Sequence, residues 1–329
     1  MVGRSVARVL ELAVPLREGL TLAAQAWSRG SPGSPFRGRP VLALHGWLDN
    51  SNSFLEVAPA LAEQGFLVVA IDWPGHGRSE HRSFDASYLA SDLPWYAGEV
   101  VRELQWSRFG VLGHSMGAAA GTLMAGSQYP SSDALVALCC LDLLGPLSRS
   151  VGSSGQNLLK GLKSREKYLQ RQLRGTQKVY GSLEDCIAAR LRSIKAWPGQ
   201  QRLTDLSARR LVQRGAEAAN ENGDGWRFRH DVRLNSPSPS YYTEEQVLAL
   251  LQRIETPCLL IEAEGPYAWP RDPKWWTARK AAVRGLQSRP LFGGHHLHLD
   301  EDTAPKCAEE IAAFFEAQVS DWDEVELKL

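Results

Sequence analysis

The chain has 329 residues, of which 43% are hydrophobic, and its 37 Lys and Arg residues balance 37 Asp and Glu residues. This composition excludes a disordered, collagen-like or low-complexity protein and predicts a globular chain with a substantial core. The absence of net charge gives no support for a nucleic-acid-binding protein. The longest apolar stretch, residues 134–147, contains Asp142 and is shorter than the ~18 apolar residues of a membrane span. We therefore expect no transmembrane segment.

The N-terminus and the cysteines favour an intracellular protein. Charged residues, among them Arg4, Arg8 and Glu11, interrupt the first apolar run, which a secretion signal would keep continuous. The cysteines are odd in number and lack the spacing of a metal site, so we expect reduced thiols. They are Cys139, Cys140, Cys186, Cys258 and Cys307.

The hydrophobic pattern predicts strands that alternate with helices. Two apolar runs, residues 10–16 and 20–27, flank a short polar turn and predict an antiparallel hairpin. The strands predicted after the hairpin are 40–46, 66–72, 109–115, 134–142 and 256–265, with a last strand within 288–300. The helices predicted between and after them are 54–64, 88–106, 116–130, 275–285 and 305–319. This order predicts an α/β fold with a mostly parallel central sheet flanked by helices.

One segment departs from this pattern. Residues 146–254 are polar, have helical spacing and contain 19 Lys and Arg against 10 Asp and Glu. We interpret them as an inserted helical cap, and residues 1–145 with 255–329 as the α/β core that carries it. The basic surplus is either a solvated face of the cap or a surface that attracts an anionic ligand or partner.

The sequence Gly113-His114-Ser115-Met116-Gly117 matches the pattern G-x-S-x-G between a predicted strand and a predicted helix. In that setting the pattern makes a sharp turn that exposes a nucleophilic serine. Ser115 is therefore the candidate nucleophile. The candidate donors to a developing oxyanion are the backbone N–H groups of Trp47, which follows His45-Gly46 at the end of an earlier strand, and of Met116.

A histidine-rich loop, residues 293–300, precedes the last predicted helix. His295 is the candidate general base, because the order serine, acid, histidine requires a late base. His296, His298 and Asp300 resemble part of a two-metal hydrolase cluster, but position 301 is Glu where that cluster has His, and no histidine follows. We expect no metal. We expect no dinucleotide cofactor either, because the glycine-rich loop that begins at Gly75 lacks the third glycine of that motif.

The acid of a catalytic triad is less clearly indicated. Asp142 ends the strand that follows the nucleophile strand, and Glu262 and Glu264 lie on the next strand. A carboxylate at either place could orient the imidazole of His295. Asp142 is preferred, while Glu264, Glu262, Asp272 or no acid remain open.

Four motifs together resemble the α/β-hydrolase superfamily: HGW, DWPGHGRS, GHSMG and GGHHLH. Within that superfamily, HGWLDNSNSF and WRFRHDVRL resemble the serine hydrolase-like proteins, a group of intracellular hydrolases. The resemblance implies Ser115 as nucleophile and His295 as base. Pro266 stands where many relatives carry the acid, so Asp142, at a position that lipase-like relatives use, is preferred over a later acid.

We therefore predict a serine hydrolase that cleaves an ester or thioester of a small acyl substrate without a cofactor. The alternative is a catalytically silent α/β-hydrolase fold that binds a ligand or partner through its basic cap. The resemblance implies a cytoplasmic protein, perinuclear or peroxisomal. The C-terminal Leu-Lys-Leu shares its last two residues with the peroxisomal address S-K-L.

Overall fold

The computed structural model describes residues 6–31, 33–173, 178–199, 201–220 and 224–327. The strands within these ranges are β1 (Val6–Pro15), β2 (Thr21–Gly30), β3 (Arg37–Leu44), β4 (Phe66–Ile71), β5 (Phe109–His114), β6 (Leu135–Leu141), β7 (Ala216–Ala218), β8 (Trp226–Phe228), β9 (Cys258–Glu264), β10 (Gln287–Phe292) and β11 (Val325–Glu326). The helices are α1 (Val57–Glu63), α2 (Leu93–Glu103), α3 (Met116–Ser127), α4 (Ser154–Leu173), α5 (Leu183–Lys195), α6 (Asp205–Gly215), α7 (Glu244–Leu251), α8 (Pro273–Ala282) and α9 (Ala304–Glu316).

The main sheet has the spatial order β1-β2-β4-β3-β5-β6-β9-β10, and the short β11 pairs with β3. The pairs β1/β2 and β2/β4 are antiparallel, while the pairs from β4 through β10 are parallel. The parallel strands at its centre, such as β4 and β5, are buried along their whole length because helices cover both faces. The predicted hairpin and the predicted α/β fold are confirmed.

The helices form one layer on each face of the sheet. Helices α2, α3 and α7 pack with one side of the sheet in the largest hydrophobic cluster. Helices α1 and α9 pack with the other side in a second cluster. Helix α2 begins later than predicted, at Leu93, because Pro94 favours the first turn of a helix and a 3₁₀ turn (Ala90–Asp92) precedes it.

The segment predicted as a helical cap contains α4 to α7 and the two-stranded sheet β7/β8. Residues of α5, α6, β7 and β8 form a separate small hydrophobic cluster. At the C-terminal end of the segment, Val247, Leu251 and Ile254 pack instead in the largest cluster of the main sheet. The predicted boundaries between cap and core, at residues 146 and 254, stay a prediction. Helix α7 lies inside the predicted cap but packs against the main sheet.

Among the described residues, no helix combines the length and the apolarity that would let it cross a lipid bilayer. The last two residues of the Leu-Lys-Leu terminus, positions 328 and 329, lie outside the described residues.

Candidate active site

A cavity of about 900 Å³ opens where the parallel strands end. Trp47 follows β3, Ser115 and Met116 follow β5, Asp142 follows β6, and His295 follows β10. All five residues line this cavity. The carboxyl edge of a parallel sheet is the usual location of a site in such folds because successive loops converge there. The structure thus brings the five predicted site residues to one place.

Ser115 lies at a sharp turn between β5 and α3, with φ 50° and ψ −114°. A non-glycine residue rarely adopts such angles, and strain of this kind concentrates at functional sites. The flanking glycines allow the turn to form. A Cβ atom at Gly117 would lie 1.8 Å from the carbonyl oxygen of Leu44, and one at Gly113 would lie 2.5 Å from the backbone of Gly117. The two glycines of the motif are therefore required, because any larger side chain would collide with nearby backbone atoms.

Asp142 and His295 are in direct contact. The Nδ1–H group of His295 donates a hydrogen bond of 2.6 Å to Oδ2 of Asp142. Asp142 has a positive φ of 57°, a conformation that Asp tolerates better than most residues. Its other oxygen, Oδ1, accepts the backbone N–H of Ala263 at 2.7 Å and pairs with the guanidinium of Arg271. Both oxygens of this buried carboxylate are thus engaged, and one of them fixes the imidazole.

The loop that carries His295 is held from two sides. His114, the neighbour of Ser115, donates from Nε2 to the carbonyl oxygen of His295 at 2.8 Å. The backbone N–H of His295 donates to Oε1 of Gln201 at 3.2 Å. The elbow and a residue between α5 and α6 therefore position the same histidine.

The other carboxylates considered in the sequence are engaged elsewhere. Glu262 accepts hydrogen bonds from Trp276, Lys280 and Ser288. Asp272 caps the N-terminus of α8, and Glu264 is exposed at the end of β9. None of the three has a hydrogen bond with His295 in the described part of the chain, so Asp142 is the carboxylate that contacts the imidazole.

The backbone N–H groups of Trp47 and Met116 have no acceptor among the described residues. Met116 is the first residue of α3, where N–H groups are free of intrahelical partners. His45 holds the loop before Trp47 through both ring nitrogens. Its Nδ1 donates to the carbonyl oxygen of Gly46 at 2.7 Å, and its Nε2 accepts the N–H of Trp73 at 3.0 Å. The side chain of His45 thus has a structural role in this loop.

A buried polar cluster lies beside the contact between Asp142 and His295. Oδ2 of Asp49 is 3.3 Å from Nε2 of His296 and 3.6 Å from Nδ1 of His114, while Arg190 of α5 pairs with the other oxygen of Asp49. Burial by itself would raise the pKa of Asp49, but His296 and Arg190 outweigh it and hold that pKa well below its ordinary value. Burial lowers the pKa of His296 to about 4, so this imidazole is neutral at pH 7.

Asp49, His114 and His296 are the described residues whose ligand atoms approach closely enough to surround a metal ion, within 4.8 Å of one another. The guanidinium of Arg190 already balances the charge of Asp49, so we assign this cluster a structural role. The sequence pattern His296-x-His298-x-Asp300 does not converge. His298 shares a hydrogen bond with Ser53, and Asp300 accepts the backbone N–H of Thr204.

Sequence reasoning missed three contributors to the site. Asp49 lies in the motif HGWLDN, whose spacing from the oxyanion loop was the available signal. Arg190 and Arg271 approach from α5 and from the loop after β9, and nothing in their local sequence marks them. Their partners, Asp49 and Asp142, are more than 120 residues away along the chain.

Comparisons with known proteins agree with this geometry. The family model of the alpha/beta hydrolase fold matches residues 39–179. A serine hydrolase-like protein of Dictyostelium discoideum is 30% identical over 89% of this chain and 79% of its own length. A solved structure of a hypothetical protein from Pseudomonas aeruginosa is 36% identical, covers 93% of this chain and 99% of its own, and superposes with a TM-score of 0.77.

A third relative is the thioesterase domain from the curacin biosynthetic pathway. Its structure is 25% identical, covers 92% of this chain and 99% of its own, and superposes with a TM-score of 0.72. Together with the elbow at Ser115 and the sheet order, these likenesses show that the chain belongs to the serine hydrolase-like group of the α/β-hydrolase superfamily.

Proposed function

We propose that this protein is a serine hydrolase that transfers the acyl group of an ester or thioester to water. Ser115 is the nucleophile, His295 the general base and Asp142 the acid of the triad. The observation that carries the proposal is the 2.6 Å hydrogen bond between His295 and Asp142 beside the strained elbow of Ser115. A carboxylate on the far nitrogen holds the correct tautomer of the imidazole and stabilises its cation.

The reaction follows from these positions. Nε2 of His295 takes the proton of the Ser115 hydroxyl as Oγ attacks the acyl carbon. The negative charge moves to the carbonyl oxygen, where the free N–H groups of Trp47 and Met116 donate to it. The imidazolium then gives its proton to the leaving alcohol or thiol. Water, deprotonated by the same imidazole, attacks the acyl-enzyme and releases the acid and Ser115.

The cavity favours an apolar acyl group. Its lining includes Trp73, Leu143, Leu147, Leu162, Leu169 and Leu234. The arginines that also line it are engaged by protein groups. Arg233 donates to the carbonyl oxygens of Ser83, Phe84 and Ala86 and pairs with Asp231, and Arg165 donates to that of Asp85. The name of one relative, a thioesterase domain, supports a thioester as one form of the substrate.

One observation favours a second candidate, a silent hydrolase fold that binds its ligand without cleaving it. Arg271 pairs with Asp142 and so competes with the imidazolium for the negative charge of that carboxylate. In this candidate the cavity holds an apolar small molecule, and Ser115 has no chemical role.

A fluorophosphonate probe separates the two candidates. The active enzyme should react covalently with the probe, and mass spectrometry should map the label to Ser115. Ser115→Ala should abolish labelling, while Ser127→Ala, which removes another serine of α3 away from the cavity lining, should leave it intact. A panel of acyl esters and thioesters of increasing chain length should then be hydrolysed fastest for apolar acyl groups. A folded wild-type protein that is not labelled would favour the silent fold.

The location of the protein remains a prediction. The resemblance of its sequence to the serine hydrolase-like group supports a cytoplasmic, perinuclear or peroxisomal site.

A further inference from the structure

Exposed hydrophobic side chains concentrate in one segment of the chain that borders the cavity. Single exposed hydrophobic residues are common on protein surfaces, whereas a contiguous group marks an interaction site. Five of them fall between residues 147 and 162, with exposed fractions from 49% to 69%: Leu147, Val151, Leu158, Leu159 and Leu162. We call these five residues the apolar rim.

The apolar rim is continuous with the cavity. Leu147 and Leu162 line the cavity themselves, and so does Phe84, whose side chain is 61% exposed. Leu158 and Leu162 are four residues apart on α4 and therefore share one side of the helix. The apolar lining of the cavity therefore extends onto exposed side chains of the apolar rim.

Two small residues of helix α4 contact the rest of the protein closely. Among the α4 residues whose side chains the structure describes, Gly161 is the buried one. A Cβ atom at Gly161 would lie 2.8 Å from Pro239. Ser164, on the same side of the helix, donates a hydrogen bond of 2.7 Å to Ser236. Beside this contact, Leu158 and Leu162 keep about half of their surface exposed.

The remaining side of α4 is basic. Lys160, Lys163 and Lys167 recur at intervals of three and four residues, which places them on one side of the helix. All three are exposed, and none has an ion-pair partner within the described ranges. The helix has five basic residues and a single acidic one, Glu166, in a chain without net charge. An amphipathic helix with lysines beside exposed leucines is typical of proteins that lie on anionic membranes.

We propose that the apolar rim and the lysines of α4 dock the protein on an anionic lipid surface, over the mouth of the cavity. The leucines insert among the acyl chains, and the lysines contact the acidic headgroups. An acidic protein would satisfy the lysines, but it would leave the exposed leucines beside an apolar cavity unexplained. Docking in this orientation joins the cavity directly to the lipid, which deepens the proposed function by naming lipid acyl groups as the substrate class.

Vesicle flotation tests the docking without any reaction. The protein used is the Ser115→Ala variant at low salt, with vesicles of phosphatidylcholine alone or mixed with phosphatidylserine. We expect binding to the mixed vesicles that weakens as salt is added, because salt screens the lysines. The double variant Leu158→Ser and Leu162→Ser should lower the partition coefficient on mixed vesicles by at least about tenfold. Leu206→Ser, an exposed leucine on α6, is the matched control and should bind like the parent.

The charge contribution has its own variant. Changing Lys160, Lys163 and Lys167 together to Gln should lower binding to mixed vesicles by at least about tenfold and leave binding to neutral vesicles unchanged. Absence of binding to mixed vesicles, or equal losses in the rim variant and in Leu206→Ser, would overturn the proposal. So would a dimer in sedimentation that the rim variant dissociates while neither form binds vesicles, since a second copy would then cover the rim.

The two proposals fail separately. Vesicle binding by Ser115→Ala does not depend on the triad, so a protein that docks but is never labelled by fluorophosphonate has lost the proposed reaction and kept the docking surface. A protein that is labelled but never docks has kept the reaction and lost the lipid surface.

Discussion

The floor of the cavity and its rim are built in opposite ways. On the floor, Asp142 and His295 are buried, and hydrogen bonds or ion pairs engage both oxygens of the carboxylate. On the rim, Leu158 and Leu162 are about half exposed. Burial and strain on the floor fix atoms to the precision that proton transfer needs. Exposed side chains on the rim can select a partner only by its apolar surface and its charge.

Two helices of the predicted cap, α5 and α6, are joined to the floor of the cavity by ion pairs. Arg190 of α5 pairs with Asp49, and Arg214 of α6 pairs with Asp72 and Glu11. Breaking a buried ion pair leaves an uncompensated charge, so such pairs hold neighbouring elements in one arrangement. The segment that the sequence marked as one cap therefore contains two helices joined to the floor by ion pairs, α5 and α6, and a third, α4, that carries part of the apolar rim.

The largest effect should come from removing the base on the floor. His295→Ala should lower kcat by about 10⁶-fold, the loss seen when a serine protease loses its catalytic histidine. His296→Ala should cost far less, because His296 contacts Asp49 and does not contact Asp142. Steady-state kinetics on the best acyl ester, with circular dichroism to verify folding, measures both. The reverse ranking would transfer the role of base to His296.

The second largest effect should come from changing the acid, Asp142. Asp142→Asn should lower kcat by about 10⁴-fold, since an amide holds the wrong tautomer of the imidazole. Asn tolerates the positive φ of 57° at this position, so the variant should fold. Glu262→Gln removes a carboxylate that is engaged by Trp276 and Lys280 and serves as the control. A similar loss of kcat in both variants would mean that the contact with His295 does not carry the effect.

Burial of the floor predicts a loss of stability in weak acid. Burial lowers the pKa of His296 in the folded protein to about 4, from an ordinary histidine value of about 6.5. The unfolded chain therefore binds this proton at a higher pH than the folded chain does. The contribution of His296 to the free energy of unfolding is therefore fully present above about pH 6.5. It is lost as the pH falls toward 4, and the loss from His296 alone is about 3 kcal/mol.

Urea unfolding at several pH values between 7.5 and 4.5 measures this loss. Burial also lowers the pKa of other histidines, which should steepen the curve: His45, His76, His114, His230 and His298. His296→Gln removes this titrating imidazole and should flatten the curve. A free energy of unfolding that stays constant from pH 7 to pH 5 would contradict the prediction.

The fold could be predicted from the sequence because its evidence is local. Buried strands such as β4 and β5 are continuous apolar runs, and the elbow is one short motif with glycines that close packing requires. The place of Asp142 also followed from strand order, since neighbouring parallel strands end at the same edge of the sheet.

The polar network of the site could not be predicted in the same way. Arg190 and Arg271 reach their partners across long stretches of chain and from a helix or loop whose packing has no periodic pattern. The end of the cap was also hidden. Residues 244–251 have the spacing of a surface helix, and their contacts with the main core depend on tertiary packing that the sequence does not display.

The smallest effect should come from Arg271, which adjusts the floor without holding the reacting atoms. Its guanidinium pairs with Oδ1 of Asp142 and stacks over Trp276, 4.5 Å from the ring centroid. A cation at that oxygen weakens the hold of the carboxylate on a protonated His295. Arg271→Gln should therefore strengthen that hold and raise kcat modestly, by less than about tenfold in steady-state kinetics on the best acyl ester. Arg271→Lys keeps the charge and should leave kcat near its original value. If Gln and Lys change kcat equally, the charge of Arg271 has no part in the reaction, and its role is to support the loop after β9.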